Sequence, residues 1–301
     1  MRYVIAGSSG FLGTALREAF ARDGHEVVRL LRGDSPSPSD SRWDPSSGQV
    51  DLDVIASADV VVNLAGAPLA RPWTSSQREA IRKSRVDTTS TLARAVADVG
   101  GGPAFLAQSA IAAYGSDRGD TVLEESTPAE GGGFLHGVVR KWEAATAPAE
   151  EAGARVCHLR TGVVIDRKGG PLPLMLPAFR LGLGGPIGSG EQYFSVISLA
   201  DWVGAVGFLA AGGEQGEADA AGDFNLTAPL PPTNKEFTKA LGAKLHRPTK
   251  LRVPAFALQK TLGEVSGEIL GSLRVVPAAL ESTGYLFEHR NVGAIVDAAL
   301  A

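Results

Sequence analysis

The chain is poor in cysteine, methionine and aromatic residues, with one Cys, two Met and 6% Phe, Trp and Tyr among 301 residues. The lone thiol, Cys157, excludes an intramolecular disulfide, and the same count excludes a cysteine-ligated zinc site. It sits in the apolar run Arg155–Leu159 and reads as a buried structural thiol in a reduced compartment. The histidines, His25, His136, His158, His246 and His289, form no short ligand pair, so no metal is expected. No Lys/Arg block stands out, and 29 basic against 33 acidic side chains leave a net charge of −4, so neither a nucleic-acid nor an anionic membrane surface is expected. No apolar run is long enough to span a bilayer and no signal-peptide pattern opens the chain, so a cytoplasmic protein is the expectation.

What is present is an alternation. Tyr3–Ala6, Glu26–Leu31, Ala58–Leu64, Ala104–Ser109 and Val156–Ile165 read as strands. Phe11–Asp23, Gln77–Val99 and Val138–Ala152 read as helices between them, the second stopped by Gly100-Gly101-Gly102-Pro103. Strands alternating with helices predict a parallel sheet covered on both faces. Two segments interrupt the rhythm and read as loops: Gly33–Gly48, and Lys168–Gln192 with its many glycines and prolines. Beyond the second, Tyr193–Ile197 and Phe224–Leu226 read as strands, a helix is expected near Asp201–Ala210, and Gly212–Gly222 reads as a loop. The expected organisation is a nucleotide-binding domain over 1–165, with 193–228 returning to it. A smaller substrate lobe would take 166–192 and 229–301.

The most informative stretch is Gly7-Ser8-Ser9-Gly10-Phe11-Leu12-Gly13, which follows the first strand and opens the first helix. Glycine permits the tight turn and close approach of backbone to a diphosphate, while the helix start supplies unpaired N–H groups and a positive dipole end. Gly7, Ser8, Ser9, Gly10, Phe11 and Leu12 are therefore the expected diphosphate cradle of a dinucleotide. The spacing G-x-x-G-x-x-G differs from the commoner G-x-G-x-x-G. The second strand ends Leu30-Leu31-Arg32-Gly33-Asp34, where a carboxylate favours NAD and a guanidinium favours the 2′-phosphate of NADP. Arg32 is at that point with Arg29 nearby, and Asp34 comes two residues late, so NADP is expected over NAD. The fold expected is α/β, a Rossmann-type doubly wound parallel sheet with a smaller C-terminal α+β lobe.

Over nearly its whole length the chain resembles the atypical extended short-chain dehydrogenase/reductases, specifically a sugar-nucleotide epimerase-like family with a C-terminal domain of unknown function. The resemblance rests on Gly7–Gly13, Gly24-His25-Glu26-Val27, Asn63-Leu64-Ala65-Gly66, Ser84–Thr89, Ser109–Gly115, Trp142-Glu143 and Arg160–Val164. It continues through Gly184–Gly190, Asn225–Pro229 and Val253-Pro254-Ala255. It implies that Leu64, Ala65 and Gly66 pass backbone along the adenosine side of the cofactor and that Arg85 is a second cofactor contact; the competing reading is a surface arginine paired with Asp87 or Glu79.

Catalysis is less legible. Short-chain dehydrogenases use a tyrosine with a lysine four residues on. Here the residues four beyond the tyrosines are Gly7, Arg118, Ile197 and His289, and alignment on Trp142-Glu143 puts Leu135 and Val139 where the pair would stand. The family as a whole lacks the pair. Ser109, after a strand end, and Tyr114 remain as catalytic candidates, the latter equally readable as a core aromatic with a satisfied hydroxyl. Where the family shows Gly-Tyr-Tyr-Gly, this chain has Ala112-Ala113-Tyr114-Gly115. Where the family shows Trp-Ile-His, it has Val196-Ile197-Ser198. Ser198 and Gln192 are candidate substrate contacts, Gln192 alternatively a loop-bracing amide, and Trp73 a candidate pocket wall or packing aromatic. These residues leave three readings open. One is an NADP-dependent oxidoreductase or epimerase-like enzyme on a small polar, sugar-like molecule. Another is a non-catalytic NADP-binding protein. The third is a dehydratase or isomerase working through Glu124 or Glu125.

Overall fold

A computed structural model describes residues 1–33, 37, 39–213, 220–263 and 265–301. The strands are β1 (Arg2–Ala6), β2 (Glu26–Leu31), β3 (Asp40–Arg42), β4 (Val60–Asn63), β5 (Ala104–Ala110), β6 (Val122–Leu123), β7 (Val156–Thr161), β8 (Val163–Ile165), β9 (Val196–Ser198), β10 (Gly222–Leu226) and β11 (Arg274–Val275). The helices are α1 (Phe11–Arg22), α2 (Leu52–Ala56), α3 (Ser75–Asp98), α4 (Phe134–Ala144), α5 (Ala147–Glu151), α6 (Leu172–Arg180), α7 (Leu199–Ala210), α8 (Asn234–Lys244), α9 (Ala255–Leu262), α10 (Val265–Leu270), α11 (Ala278–Ser282) and α12 (Val292–Leu300).

Among the described residues, seven strands form one sheet in the order β10-β7-β5-β4-β1-β2-β3. The pairs β1–β2, β1–β4, β2–β3 and β4–β5 are parallel. The chain runs outward from β1 to β2 and β3, then crosses back to β4 on the other side. The strand order therefore reverses beside β1, and such a reversal opens a crevice beyond the carboxyl ends of the strands. The central strands are apolar runs because both faces are covered: β4 is buried at every residue.

The chain divides into two compact units, Met1–Ser109 with Gly137–Arg160 and Val203–Phe224, and Ala110–His136 with Thr161–Trp202 and Asn225–Ala301. The core of the first includes Val4, Val28, Val61, Leu92, Val96 and Phe105. The second has its own core, including Leu172, Leu176, Phe179, Phe237, Leu241 and Ile295. Residues 110–136 belong to this second unit, where β6 pairs with β11.

Four expected segments differ in detail. The helix expected over Val138–Ala152 is two helices, because Pro148 lacks the N–H needed to continue the first and instead sits in the first turn of α5. The strand expected over Val156–Ile165 is broken at Gly162 into β7 and β8, and β8 pairs with β9 in a separate sheet. A Cβ at Gly162 would lie 2.6 Å from the Ser195 carbonyl oxygen, so only glycine fits that exit. The glycine- and proline-rich excursion contains α6, whose Leu172, Leu176 and Phe179 face the core. The loop expected over Gly33–Gly48 contains β3. That loop and Gly212–Gly222 lie partly outside the described residues, as does Asp34. Among the described residues no helix is long and apolar enough to cross a membrane.

Candidate dinucleotide site

The turn after β1 is built as its glycines demand. Gly7 has φ +78°, and a Cβ there would lie 2.6 Å from the Leu64 carbonyl carbon. The Gly10 N–H donates to Gly7 O at 3.1 Å, and Thr14 N–H donates to Gly10 O at 2.8 Å to start α1. A Cβ on Gly13 would lie 2.2 Å from Gly7 O, so this glycine lets helix and turn touch. Gly10 differs: a Cβ there meets only Gly7 O, at 3.4 Å, an ordinary contact. Nothing in the protein's own packing demands glycine at Gly10. Gly10 caps α1 without a side-chain hydrogen bond, so the first amides of the helix stay unsatisfied by the cap.

Ser8 supplies the independent sign of a ligand. It is 2% exposed, and its Oγ has no hydrogen-bond partner. A buried hydroxyl is ordinarily paired, because an unmade bond costs about 1–3 kcal/mol. An orphaned donor beside a helix N-terminus fits the diphosphate of a dinucleotide.

Leu64, Ala65 and Gly66 follow β4 on the other side of the crevice. Their path is fixed from below: Asn63 is fully buried, donates to Thr88 and Thr89 of α3, and accepts from Ala65 N–H at 3.1 Å. Arg85 lies under the same segment. Its Nη1 donates to Ala67 O and Ile81 O, both at 3.2 Å, and its guanidinium stacks 5.2 Å from the Trp142 ring centre. Burial pushes Arg85 down to about 10. A Cβ on Gly66 would stand 3.3 Å from this guanidinium, so glycine admits it. The competing pairing with Glu79 or Asp87 is not what Arg85 makes; Glu79 pairs with Arg82 and Lys83.

At the end of β2 the two arginines separate in role. Arg29 is held by Asp40 of β3 through bonds of 2.5 and 2.6 Å. Arg32 is exposed, and among the described residues it makes no hydrogen bond or ion pair.

Ser109 is buried and donates its hydroxyl hydrogen to Glu143 Oε1 at 2.5 Å. Glu143 also receives Arg160 Nε at 2.9 Å and Nη2 at 3.0 Å. Arg160 reaches Asp223 at 2.6 Å, Asp223 meets His158 Nδ1 at 2.8 Å, and His158 Nε2 meets the Thr146 hydroxyl at 2.9 Å. Glu143, His158 and Asp223 could together hold a metal ion by distance alone. The cation between the two carboxylates is instead the Arg160 guanidinium, 4% exposed as a residue. Burial works to raise the Asp223 carboxyl, but the His158 hydrogen bond and the Arg160 charge outweigh it and hold Asp223 below the usual carboxylate range. This network escaped the sequence reading. Its one usable signal was His158 and Arg160 inside an otherwise apolar strand, where a charge must find a partner.

The remaining candidates lie in the second unit. Tyr114 is fully buried and donates to Asn225 Oδ1 at 2.9 Å. Gln192 donates to Ile187 O at 3.1 Å, the loop-bracing arrangement. Ser198 is buried, donates to Asp201 Oδ2 at 2.9 Å, and lies 3.0 Å from His289 Nδ1. An imidazole thus meets this position from the tail rather than from within β9. Both Glu125 carboxylate oxygens accept backbone N–H groups, from Asn225 and Ala279. Trp73, in the first unit, donates to Leu69 O at 3.1 Å.

A parallel sheet with a switch point, a glycine turn and an orphaned buried hydroxyl beside a helix start defines a dinucleotide-binding α/β protein. Residues 3–160 match the NAD dependent epimerase/dehydratase family, and residues 253–299 match a domain of unknown function, DUF1731. An epimerase family protein of Mycobacterium leprae is 42% identical over 96% of this chain and 92% of its own length. The human epimerase family protein SDR39U1 is 33% identical over 98% of each chain. A crystal structure of human SDR39U1 with NADPH superposes with a TM-score of 0.88 at 32% identity, covering 99% of each chain. A nucleoside-diphosphate sugar epimerase from Corynebacterium glutamicum gives a TM-score of 0.79 at 36% identity, covering all of this chain and 58% of that one. The chain belongs to the NAD dependent epimerase/dehydratase family.

Proposed function

We propose that the chain binds NADP(H) across the carboxyl edge of its sheet and acts as an oxidoreductase or epimerase-like enzyme on a small polar, sugar-like substrate. The observation that carries the cofactor reading is the orphaned Ser8 hydroxyl beside the glycine turn and the start of α1. Preference for NADP is supported by Arg32, which is exposed at the end of β2, while Arg29 is engaged by Asp40. The human SDR39U1 crystal structure with NADPH supports the same preference. Ser8, Ser9, Gly10, Phe11 and Leu12 hold the diphosphate, Leu64, Ala65 and Gly66 line the adenosine side, and Arg85 braces that segment from beneath. When bound, the cofactor supplies hydride chemistry.

Ser109 acts in this scheme as an acceptor. Its hydrogen points to Glu143, so the lone pairs are what it offers, and they suit a substrate hydroxyl better than a carbonyl. Calorimetry with NADPH and NADH tests the cofactor reading. Arg32→Ala is expected to weaken NADPH about tenfold or more and to leave NADH nearly unchanged; equal losses would refute the 2′-phosphate role. Nicotinamide absorbance against a panel of sugar alcohols and carbonyls tests turnover.

A second reading, a non-catalytic NADP-binding protein, is favoured by one observation. The hydroxyls of both catalytic candidates are committed inside the protein, Ser109 to Glu143 and Tyr114 to Asn225. NADPH binding with no turnover across the panel, unchanged by Ser109→Ala and Tyr114→Phe, would decide for it.

A further inference from the structure

Among the described residues, two side-chain oxygens are buried without a hydrogen-bond partner. One is Ser8 Oγ; the other is Gln108 Oε1, at the end of β5. The orientation of the Gln108 amide is not arbitrary. Its Nε2 donates to Ser109 O at 2.8 Å, and exchanging the two ends of the amide would set oxygen against oxygen. The orphan is therefore an acceptor, and a buried acceptor calls for a donor.

The register of the sheet says where that donor belongs. Ala6 of β1 pairs with Asn63 of β4, and Asn63 pairs with Ala107 of β5. One step further along each strand, Gly7, Leu64 and Gln108 form a row across the crevice. Gly7 belongs to the turn that the cofactor reading sets beside the diphosphate. Gln108 is two strands from Gly7, about 10 Å at ordinary strand spacing. That is roughly one nucleoside further along a dinucleotide than the diphosphate, on the side away from β2 and Arg32. The donors there are the hydroxyls of the nicotinamide ribose and the N–H groups of the nicotinamide carboxamide.

We infer that Gln108 is a cofactor-positioning residue whose Oε1 accepts a hydrogen bond from the nicotinamide nucleoside of bound NADP(H). The inference rests on the cofactor reading above and extends it to the reactive half. It also assigns a polar contact to a chain in which Leu135 and Val139, aligned with the dehydrogenase Tyr/Lys pair, offer none.

The test compares two ligands, NADPH and 2′,5′-ADP, which shares the adenosine half and lacks the nicotinamide nucleoside. In Gln108→Leu, NADPH binding is expected to weaken about tenfold, with 2′,5′-ADP unchanged. Unchanged 2′,5′-ADP affinity also shows that the site is folded. Equal loss of both ligands, or loss of neither, overturns the inference while leaving the cofactor reading standing. A wild-type chain that binds neither ligand overturns both. Should the variant not fold, a crystal structure of the wild-type chain with NADPH reads the contact directly. Oε1 within hydrogen-bond distance of a ribose hydroxyl or the carboxamide nitrogen supports the inference; Oε1 bonded to a buried water or to nothing overturns it.

Discussion

Glycines that look equivalent in a motif have separable duties once each is asked what a Cβ would strike. Gly13→Ala drives a methyl to 2.2 Å from Gly7 O and must displace either the turn or the helix. It is expected to lower stability by about 1–3 kcal/mol, as overpacking does, and to weaken NADPH as well. Gly10→Ala meets only a 3.4 Å contact, and φ at Gly10 is −75°, so stability should fall by no more than about 1 kcal/mol, the difference between glycine and alanine at a helix cap. Its NADPH affinity should nevertheless fall steeply, because the added methyl stands where the diphosphate approaches. Urea unfolding and calorimetry on the two variants separate these effects, and parallel losses would remove the argument that Gly10 serves the ligand. Cys157 is a second residue-scale case. It is buried, it donates to Ala220 O at 3.1 Å, and burial pushes its thiol up to about 11. The thiolate is the reactive form. Cys157 should therefore resist alkylation in the native protein and react once the chain is unfolded; rapid native labelling would contradict the packing described.

The elements were legible where one rule acted alone. β1, β2, β4 and α1 follow directly from apolar runs and period, and the glycine turn from its place between a strand and a helix. Legibility failed where a distant residue decided the outcome. Val156–Ile165 reads as one strand because nearly all of its residues suit one; it is cut at Gly162, where the Ser195 carbonyl, thirty-three positions later in the chain, leaves no room for a Cβ. The site shows the same division. Gly7–Leu12, Arg32 and Leu64–Gly66 stand out in the sequence as candidates because each follows a strand end. The orphaned state of Ser8 and Gln108 does not, since whether a polar atom finds a partner depends on the whole neighbourhood. Cap chemistry, by contrast, is local and predictable. Thr233 caps α8 with its hydroxyl on Glu236 N–H, and the Glu236 side chain returns to Thr233 N–H. Thr233→Ala should lower stability by about 1 kcal/mol, read as a shift of the urea midpoint with no change in NADPH affinity.

At the scale of the molecule, the charge network around Arg160 couples stability to pH. It joins β5 through Ser109, α4 through Glu143, β7 through His158 and Arg160, and β10 through Asp223. Removing one partner from such a network is costly because the others stay buried as uncompensated charges. The folded Asp223 carboxyl lies below its unfolded value, held there by the His158 hydrogen bond and the Arg160 charge against the opposing effect of burial. A depressed carboxylate binds its proton more weakly in the native state. The stabilisation is therefore complete above the unfolded pKa, about 3.9 for an aspartate, and disappears as pH falls through the lower folded value. Urea midpoints measured from neutral pH downward should hold until about pH 5 and then decline. In Asp223→Asn the neutral-pH midpoint should be lower, and the acid decline shallower by the share that Asp223 contributes. A variant with an unchanged neutral midpoint and an unchanged acid slope would mean that Arg160 is satisfied by Glu143 alone and that the link to β10 carries no stability.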